Sequence, residues 1–522
     1  MNKIKALYTN EIIKILHRPS VFIVAIFTLV LAFAFPFLLR IVFIGDYSEV
    51  FEIYTKEKFE EDLAGYKTEL KNANLKTTNE TVEIEVKGQA KSYEMTLYTG
   101  NDIPRILSFT NCYEDIISKY DFEKYPMRQT WISLDALRRY RSAEQELINM
   151  QTVPFEERDA EWLSTFEKET TSRDYFRRSL FEHDYEYYCK GLETNAVAND
   201  YDDPRFTPGI IRQVAASDPK GELGYMEVNY LMQYLVEKNE NQELLDSGLE
   251  RSGTLPRILT EERKNILANS NKILDYKFAK RNTFSEESAI CITVNHYTSQ
   301  VAQYGIIVLL ILIAGSSVSQ ELATGSIKSL IIAPVKRWKI YTAKLLSVIT
   351  FMLLASVLVS VIAIIGTGIA FGFDKLPPYL YVSGGAVKEM PYFFARILID
   401  LVQNISVFFY AFVAFMISCF TKNTGVSVGV SVGLLLCHQV PALIGMSEMP
   451  PRILDFTPLA NMDIVNKVFP YIKLMVYDAE SISMFISDGF NLPLWHCIVY
   501  TAVLTFTVLF IAYEQFTRKD IQ

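Results

Sequence analysis

Residues 425–433 read GVSVGVSVG. Within this stretch the G-x-S-x-G pattern occurs twice, with Ser427 and then Ser431 in the place of an esterase nucleophile. The same letters put Gly425, Gly429 and Gly433 at four-residue spacing, the small-xxx-small face along which membrane helices pack closely. The two readings need opposite surroundings. A nucleophile elbow needs a strand, a sharp turn and an aqueous pocket holding a histidine and an acid. Residues 424–446 are instead an apolar run with no histidine–acid pair to complete a triad. The stretch therefore reads as a membrane helix whose glycines form a packing face, and its serines carry no chemistry.

Composition agrees. Half of the 522 residues are hydrophobic and mean hydropathy is positive, too apolar for an ordinary soluble enzyme, while 21% charged residues are too many for a chain wholly in lipid. The net charge of −9 is sorted by region: residues 46–299 hold 47 acidic and 32 basic residues, and the remainder 13 acidic and 19 basic. Cys112, Cys189 and Cys291 lie in the acidic region, where one disulfide is open. No C-x-x-C spacing or histidine cluster suggests a metal.

A bilayer core takes about 20 apolar residues per helix. Six segments approach that length: 21–44, 300–320, 343–372, 395–420, 424–446 and 493–514. The expected fold is a mainly α polytopic membrane protein with six transmembrane helices. A large, mostly helical extracellular domain with minor β, residues 46–299, is inserted between helices 1 and 2. Residues 1–45 then hold an amphipathic interfacial helix and the first span, and 300–522 the other five. Short basic flanks set the orientation. Lys3, Lys5, Lys14 and Arg18, then Lys328, Lys336, Arg337, Lys339 and Lys344, then Lys422, then Arg518 and Lys519 all fall on one side if there are six spans, so both termini are expected in the cytoplasm.

In the 46–299 region, ETVEIEVKGQAKSYEMTLYTG alternates Val82, Ile84 and Val86, then Tyr93, Met95 and Leu97, around KGQAK, and reads as a hairpin. Most of the rest reads as amphipathic helix. Catalytic signatures are nearly absent: His183 and His296 are its histidines, without H-E-x-x-H, and SDPK at 217–220 lacks the companion motifs of an S-x-x-K enzyme. The run YEYYCKG at 185–191 in an acidic region could bind a cationic peptide, although a solvated face with a few core tyrosines is the preferred account.

Between the second and third segments stands QELATGSIKSLIIAPVKRWKIYTAKLL, residues 320–346. Gly325 and Ser326 read as a helix start, Ile327, Leu330 and Ile331 as an apolar stripe, and Pro334 as its stop. A helix so short cannot span, so its stripe must rest on a membrane surface or a partner. The order Glu321, Gly325, Ser326, Ile327, Lys328, Leu330, Pro334, Val335, Arg337, Tyr341 and Lys344 resembles the E-x3-G-[ST]-[IL]-K-x-L…P-V-x-R pattern of ABC-2 type transporter permeases, membrane subunits of bacterial ABC exporters. The amphipathic N-terminus, the six spans and DFTPLANM at 455–462 add to a resemblance covering roughly 1–45 and 300–522. The 254-residue insert departs from the family's simplest form.

The resemblance implies that residues 325–333 form a coupling helix on a separate cytoplasmic ATPase, with Glu321, Gly325, Ser326, Ile327, Lys328, Leu330, Ile331, Pro334 and Arg337 as the coupling residues. It also implies a second permease copy or a homologous permease, and a multi-pass place in the bacterial cell membrane. The chain has no Gly-Lys dipeptide and hence no phosphate-binding P-loop, so it is expected to be a transport subunit and not itself an enzyme. It would carry no cofactor of its own: Mg-ATP would be bound by the partner ATPase subunit dimer, and no nucleic acid is expected among the partners. Arg396, Asp400, Gln403 and Asn404, near the start of the fourth segment, are candidate pathway residues, because ionisable groups within a membrane default to function. A local Arg396–Asp400 pair on one helix at the outer interface is the competing account, and the preferred one. The expected activity is export of a peptide or amphipathic substrate. The alternatives are a permease whose external domain transmits ATPase-driven motion to outside partners, and a membrane-anchored receptor or interaction protein without ATPase coupling.

Overall fold

The computed structural model describes every residue except 1, 53, 126, 128–130, 195–204, 206, 219–222, 224, 253–254, 282, 327–334, 446–456, 463, 477–491 and 519–522. The chain forms two compact units, one of Met1–Phe43 with Asn241–Gln522, the other of Ile44–Glu240.

The Ile44–Glu240 unit is built from helices that pack largely on their neighbours in sequence: α3 (Lys56–Asn72), α4 (Ile103–Lys119), α5 (Trp131–Met150), α6 (Ala160–Glu182), α7 (Tyr185–Thr194) and α8 (Pro208–Ser217). Their starts are capped as the sequence allows. Thr55 accepts from Lys58 N at 3.3 Å and Asp159 from Trp162 N at 2.8 Å. The expected hairpin is present, with β1 (Lys76–Val86) antiparallel to β2 (Gln89–Thr99). Lys87 and Gly88 turn it with φ of 52° and 78°, the left-handed pair that a two-residue type I′ turn requires. Ile84 and Met95 on its buried face pack against Leu163 of α6.

In the other unit, α1 (Asn2–Leu16) and most of α2 (Pro19–Glu52) are followed, after β3 (Leu249–Ser252) and β4 (Leu255–Ile258), by α10 (Glu261–Ala279), α11 (Glu286–Ser316) and the short α12 (Ser319–Thr324); α2 and α9 (Tyr225–Ser247) straddle the unit boundaries. Then come α13 (Arg337–Phe371), a small hairpin of β5 (Tyr379–Ser383) and β6 (Ala386–Met390), α14 (Tyr392–Gln403), α15 (Ile405–Phe420), α16 (Thr424–Gly445), the short α17 (Pro458–Met462) and α18 (Val465–Val468), and finally α19 (Leu494–Arg518).

Among the described residues, four stretches are long and apolar enough to cross a membrane: Pro19–Ile41, Glu287–Thr324, Arg337–Phe371 and Leu494–Arg518. A fifth is added if α14 and α15, bent by 43°, count as one span. The structure thus supplies fewer clear spans than the six expected. The segment read as 395–420 is broken, and of α16 only Thr424–Leu434 lies among residues with described side chains. The core of the bundle is apolar, with Leu310, Ala314, Met352, Ala411 and Phe415 almost fully buried, while Phe22, Phe27, Val503 and Phe506 face outward, as a helix bundle in lipid requires.

Candidate functional site

Within the bundle, polar side chains gather in two places. The first is a column between α11, α13 and α14. Arg396 and Asp400 lie one turn apart on α14, form an ion pair and are 2% and 7% exposed at their side chains. Neither acts only within its own helix. Arg396 Nη1 meets His296 Nδ1 of α11 at 3.1 Å, while Asp400 Oδ2 accepts from Ser360 of α13 at 2.6 Å and from Ser299 of α11 at 3.4 Å. Because a guanidinium only donates, His296 accepts at Nδ1 and keeps its proton on Nε2. The Gln300 amide, 3.0 Å from Nε2, must therefore turn its oxygen toward it. Tyr392 donates to Asn295 Oδ1 at 2.8 Å, and Asn295 Nδ2 to Thr367 at 3.0 Å.

The column ends where the helix breaks. No proline or glycine lies within α14 or α15 to bend them. Instead Gln303 of α11 reaches into the break: its Nε2 is 3.5 Å from the Gln403 backbone oxygen, and Gln403 Nε2 is 3.5 Å from Gln303 Oε1. A side chain inserted into the helical ladder is a sufficient cause of a kink. Asn404 donates to Ser356 of α13 at 3.2 Å and leaves its own Oδ1 buried without a partner, as Arg396 does with Nε. A cavity of about 20 Å³ lies against Arg396, His296, Tyr379 and Ile472, and one of about 10 Å³ against Asp400, Ser299, Gln303 and Asn404. Each has room for about one water. All four candidate pathway residues thus share one site. The local Arg396–Asp400 pair is present, and to it the structure adds interhelical bonds and burial that the i, i+4 spacing could not reveal.

The second gathering is a ring of charge. Lys344 of α13, fully buried, lies 2.8 Å from Glu11 of α1 and 2.9 Å from Glu321 of α12, and also donates to the Ser317 backbone oxygen at 3.0 Å. Lys14 completes the ring, 3.1 Å from Glu11 and 2.8 Å from Glu321. Burial alone would lower the Lys14 pKa, but the facing Glu321 and Glu11 more than offset it and hold it above its ordinary value. The basic flanks share this end of the unit: Arg337 donates to Thr517 O of α19 at 3.0 Å, and Ser319 to Thr424 Oγ1 at the start of α16 at 3.2 Å.

Of the expected coupling residues, Glu321 is in the ring, and Gly325 ends α12 in the left-handed conformation, φ 73°, so it stops one helix as well as preceding the next segment. Ser326 lies 2.9 Å from Thr324, and Arg337 opens α13. Ile327, Lys328, Leu330, Ile331 and Pro334 lie outside the described residues. Sequence reasoning missed Glu11 and Lys14 as part of this site. The available signal was an acidic residue on the apolar side of the N-terminal helix.

The glycine face of α16 has no close neighbour within the chain. A Cβ built on Gly429 or Gly433 would meet nothing within 4 Å, and on Gly425 only Asn423 Oδ1, at 3.2 Å. Within the chain it is the serines that pack. Ser427 donates to Ala414 O at 3.1 Å and Ser431 to Ser427 O at 2.7 Å, both serines fully buried. Two residues along a helix are about 200° around it, so a face that buries 427 and 431 turns 425, 429 and 433 outward. Continuous helix and buried hydroxyls also dispose of the nucleophile-elbow reading. Among the described residues, Cys112, Cys189, Cys291, Cys419 and Cys497 are all buried and none is joined in a disulfide.

Fold and site together define a mainly helical protein with several helices fit to cross a membrane and a buried polar column among them. Residues 263–522, which carry the column and two of the four residues of the charge ring, match the model of a family described as a protein of unknown function (DUF2705). No curated protein and no solved structure matches the chain.

Proposed function

We propose that this chain is the membrane-spanning permease subunit of an ATP-driven ABC-2 type exporter, worked by a separate ATPase subunit that binds Mg-ATP. The observation that carries the reading is the Glu321–Lys344 contact at 2.9 Å. These two residues lie on either side of segment 325–336 in sequence, so the chain before it and the chain after it meet at one charged seam, to which α1 is also tied through Glu11 and Lys14. A short segment fixed at both feet is suited to receive a push and pass it to α11 and α13. The gathering of the basic flanks at that end favours placing it in the cytoplasm, with both termini inside and α16 as a sixth span. The substrate in this reading is a peptide or other amphipathic molecule, and the complete transporter pairs this chain with a second copy or a homologous permease.

The test is a photo-crosslinker placed at Leu330 in intact membranes. The expected product joins the chain to a protein bearing a G-x-x-x-x-G-K-[ST] loop and disappears with Leu330→Asp in the same background, introduced beside a crosslinker moved to Ser326. Labelling of position 330 from outside sealed cells, or crosslinks to lipid alone, refutes the reading.

A further inference from the structure

We propose that the Arg396–Asp400 pair is a latch that holds half-helix α14 bent away from the axis of α15, and that α14 swings about Gln403 and Asn404 when the latch opens. The proposal deepens the permease reading, since a half-helix that can move is what alternating access requires.

Three observations carry it. First, the bend is not written into the backbone chemistry of α14 and α15, which have no internal proline or glycine. It depends on neighbours, and the Gln303–Gln403 contacts that occupy the break are long, at 3.5 Å. Second, the ion pair ties α14 to two other helices at once, through His296 and Ser299 on α11 and Ser360 on α13. A pair that only stabilised its own helix would need none of these. Third, the latch is flanked by space and by unsatisfied groups. The two cavities adjoin Arg396 and Asp400, and the buried Arg396 Nε and Asn404 Oδ1 have no hydrogen-bond partner in this arrangement. A close-packed core resists a change of side-chain positions, whereas small voids beside unpaired polar atoms leave a second set of partners within reach.

The amplitude follows from geometry. Twelve residues of α14 span about 18 Å at 1.5 Å per residue, and straightening a 43° bend moves the far end by about 13 Å. Phe394 on α14 and Ile369 on α13, 61% and 55% exposed, are suitable spin-label positions after substitution by cysteine. Measurement is made on the full chain in lipid nanodiscs by double electron–electron resonance. With Arg396 and Asp400 in place a single narrow distance distribution is expected. Replacing both at once, Arg396→Met with Asp400→Leu, leaves no lone buried charge, and the distribution is expected to broaden or shift by several Å, with about 13 Å as the limit. An unchanged distribution overturns the latch. If the double variant does not fold, Ser360→Ala removes only the 2.6 Å tie to α13. Broadening is again expected, and its absence is equally fatal. Failure here leaves the Leu330 crosslink unaffected, and loss of that crosslink leaves this distance measurement unaffected, so the two readings fail separately.

Discussion

Lys344→Met removes one of two cations from a ring in which both carboxylates are almost wholly buried, Glu11 at 5% and Glu321 at 8% side-chain exposure. Lys14 remains, but it is 35% exposed and is then the one cation of the ring in direct contact with the two carboxylates, with Arg18 acting on them from further away. Breaking a buried pair by deleting one partner costs about 3–5 kcal/mol, because the charge left behind keeps its desolvation penalty. The surrounding unit has about 325 residues. At about 2.1 cal/mol/K of unfolding entropy per residue, that cost lowers the thermal midpoint by about 4–7 °C. Adding Glu11→Gln removes the surplus carboxylate and leaves a single Lys14–Glu321 pair, so the double variant is expected to recover most of the loss. The assay is a set of melting curves on wild type, both single variants and the double variant in the same nanodiscs, read as a double-mutant cycle. A fall of less than about 1 °C for Lys344→Met, or a double variant that melts below both singles, would refute the claim that these four charges form one ring.

Gly366→Ala is expected to destabilise by about 1–3 kcal/mol, because its Cβ would lie 2.6 Å from the Phe33 backbone oxygen and force α2 and α13 apart. Gly429→Ala, with nothing within 4 Å, should instead be neutral or gain up to about 1 kcal/mol, and melting curves of the two variants distinguish them. In the other unit, His183 stacks on Tyr125 at 3.6 Å, and burial with the nearby Lys124 charge lowers its pKa from 6.5 to about 4. The unfolded chain therefore binds the proton more readily, and stability is lost as pH falls from 6.5 toward 4. The loss amounts to roughly 1–2 kcal/mol once partial exposure is allowed for. His183→Asn should flatten that dependence in a pH series of unfolding curves. Lys87→Asn suits the left-handed φ of 52° better than lysine, and a gain of up to about 1 kcal/mol is expected in chemical denaturation of the Ile44–Glu240 unit within the full chain.

The parts of the fold that local chemistry dictates were legible. Alternation around Lys87–Gly88 identified the hairpin, and the apolar runs of α2, α13 and α19 identified helices fit to span. The two ends of α11 show where this stops. A hydropathy reading starts the second span at 300, yet the helix begins at Glu286, because Asn295, His296, Thr298 and Ser299 are polar and buried. Hydropathy treats a polar residue as exposed. It cannot register one whose partners, Thr367, Arg396 and Asp400, come from helices 72 to 101 positions away. The bend at Asn404 was hidden for the same reason, since Gln303, whose side chain occupies the break, lies a hundred residues earlier.

The two polar sites differ in a way that bears on how force could cross the bundle. The charge ring joins α1, α12 and α13 through fully ionic contacts of 2.8–3.1 Å, so those elements move together or pay for separating buried charges. The column is looser: its bonds include two at 3.5 Å and one at 3.4 Å, and it has two voids. Helix α13 carries residues of both sites, and α11 runs from the column to Ser317, whose backbone oxygen accepts from Lys344 of the ring. A displacement applied at the ring is carried along these helices as rigid bodies and arrives at the column, where the packing resists least. Of these two clusters, the stiffer thus lies at α12 and the start of α13 and the more yielding at the break in α14–α15. Motion that enters at the first is expected to be expressed as rotation at the second.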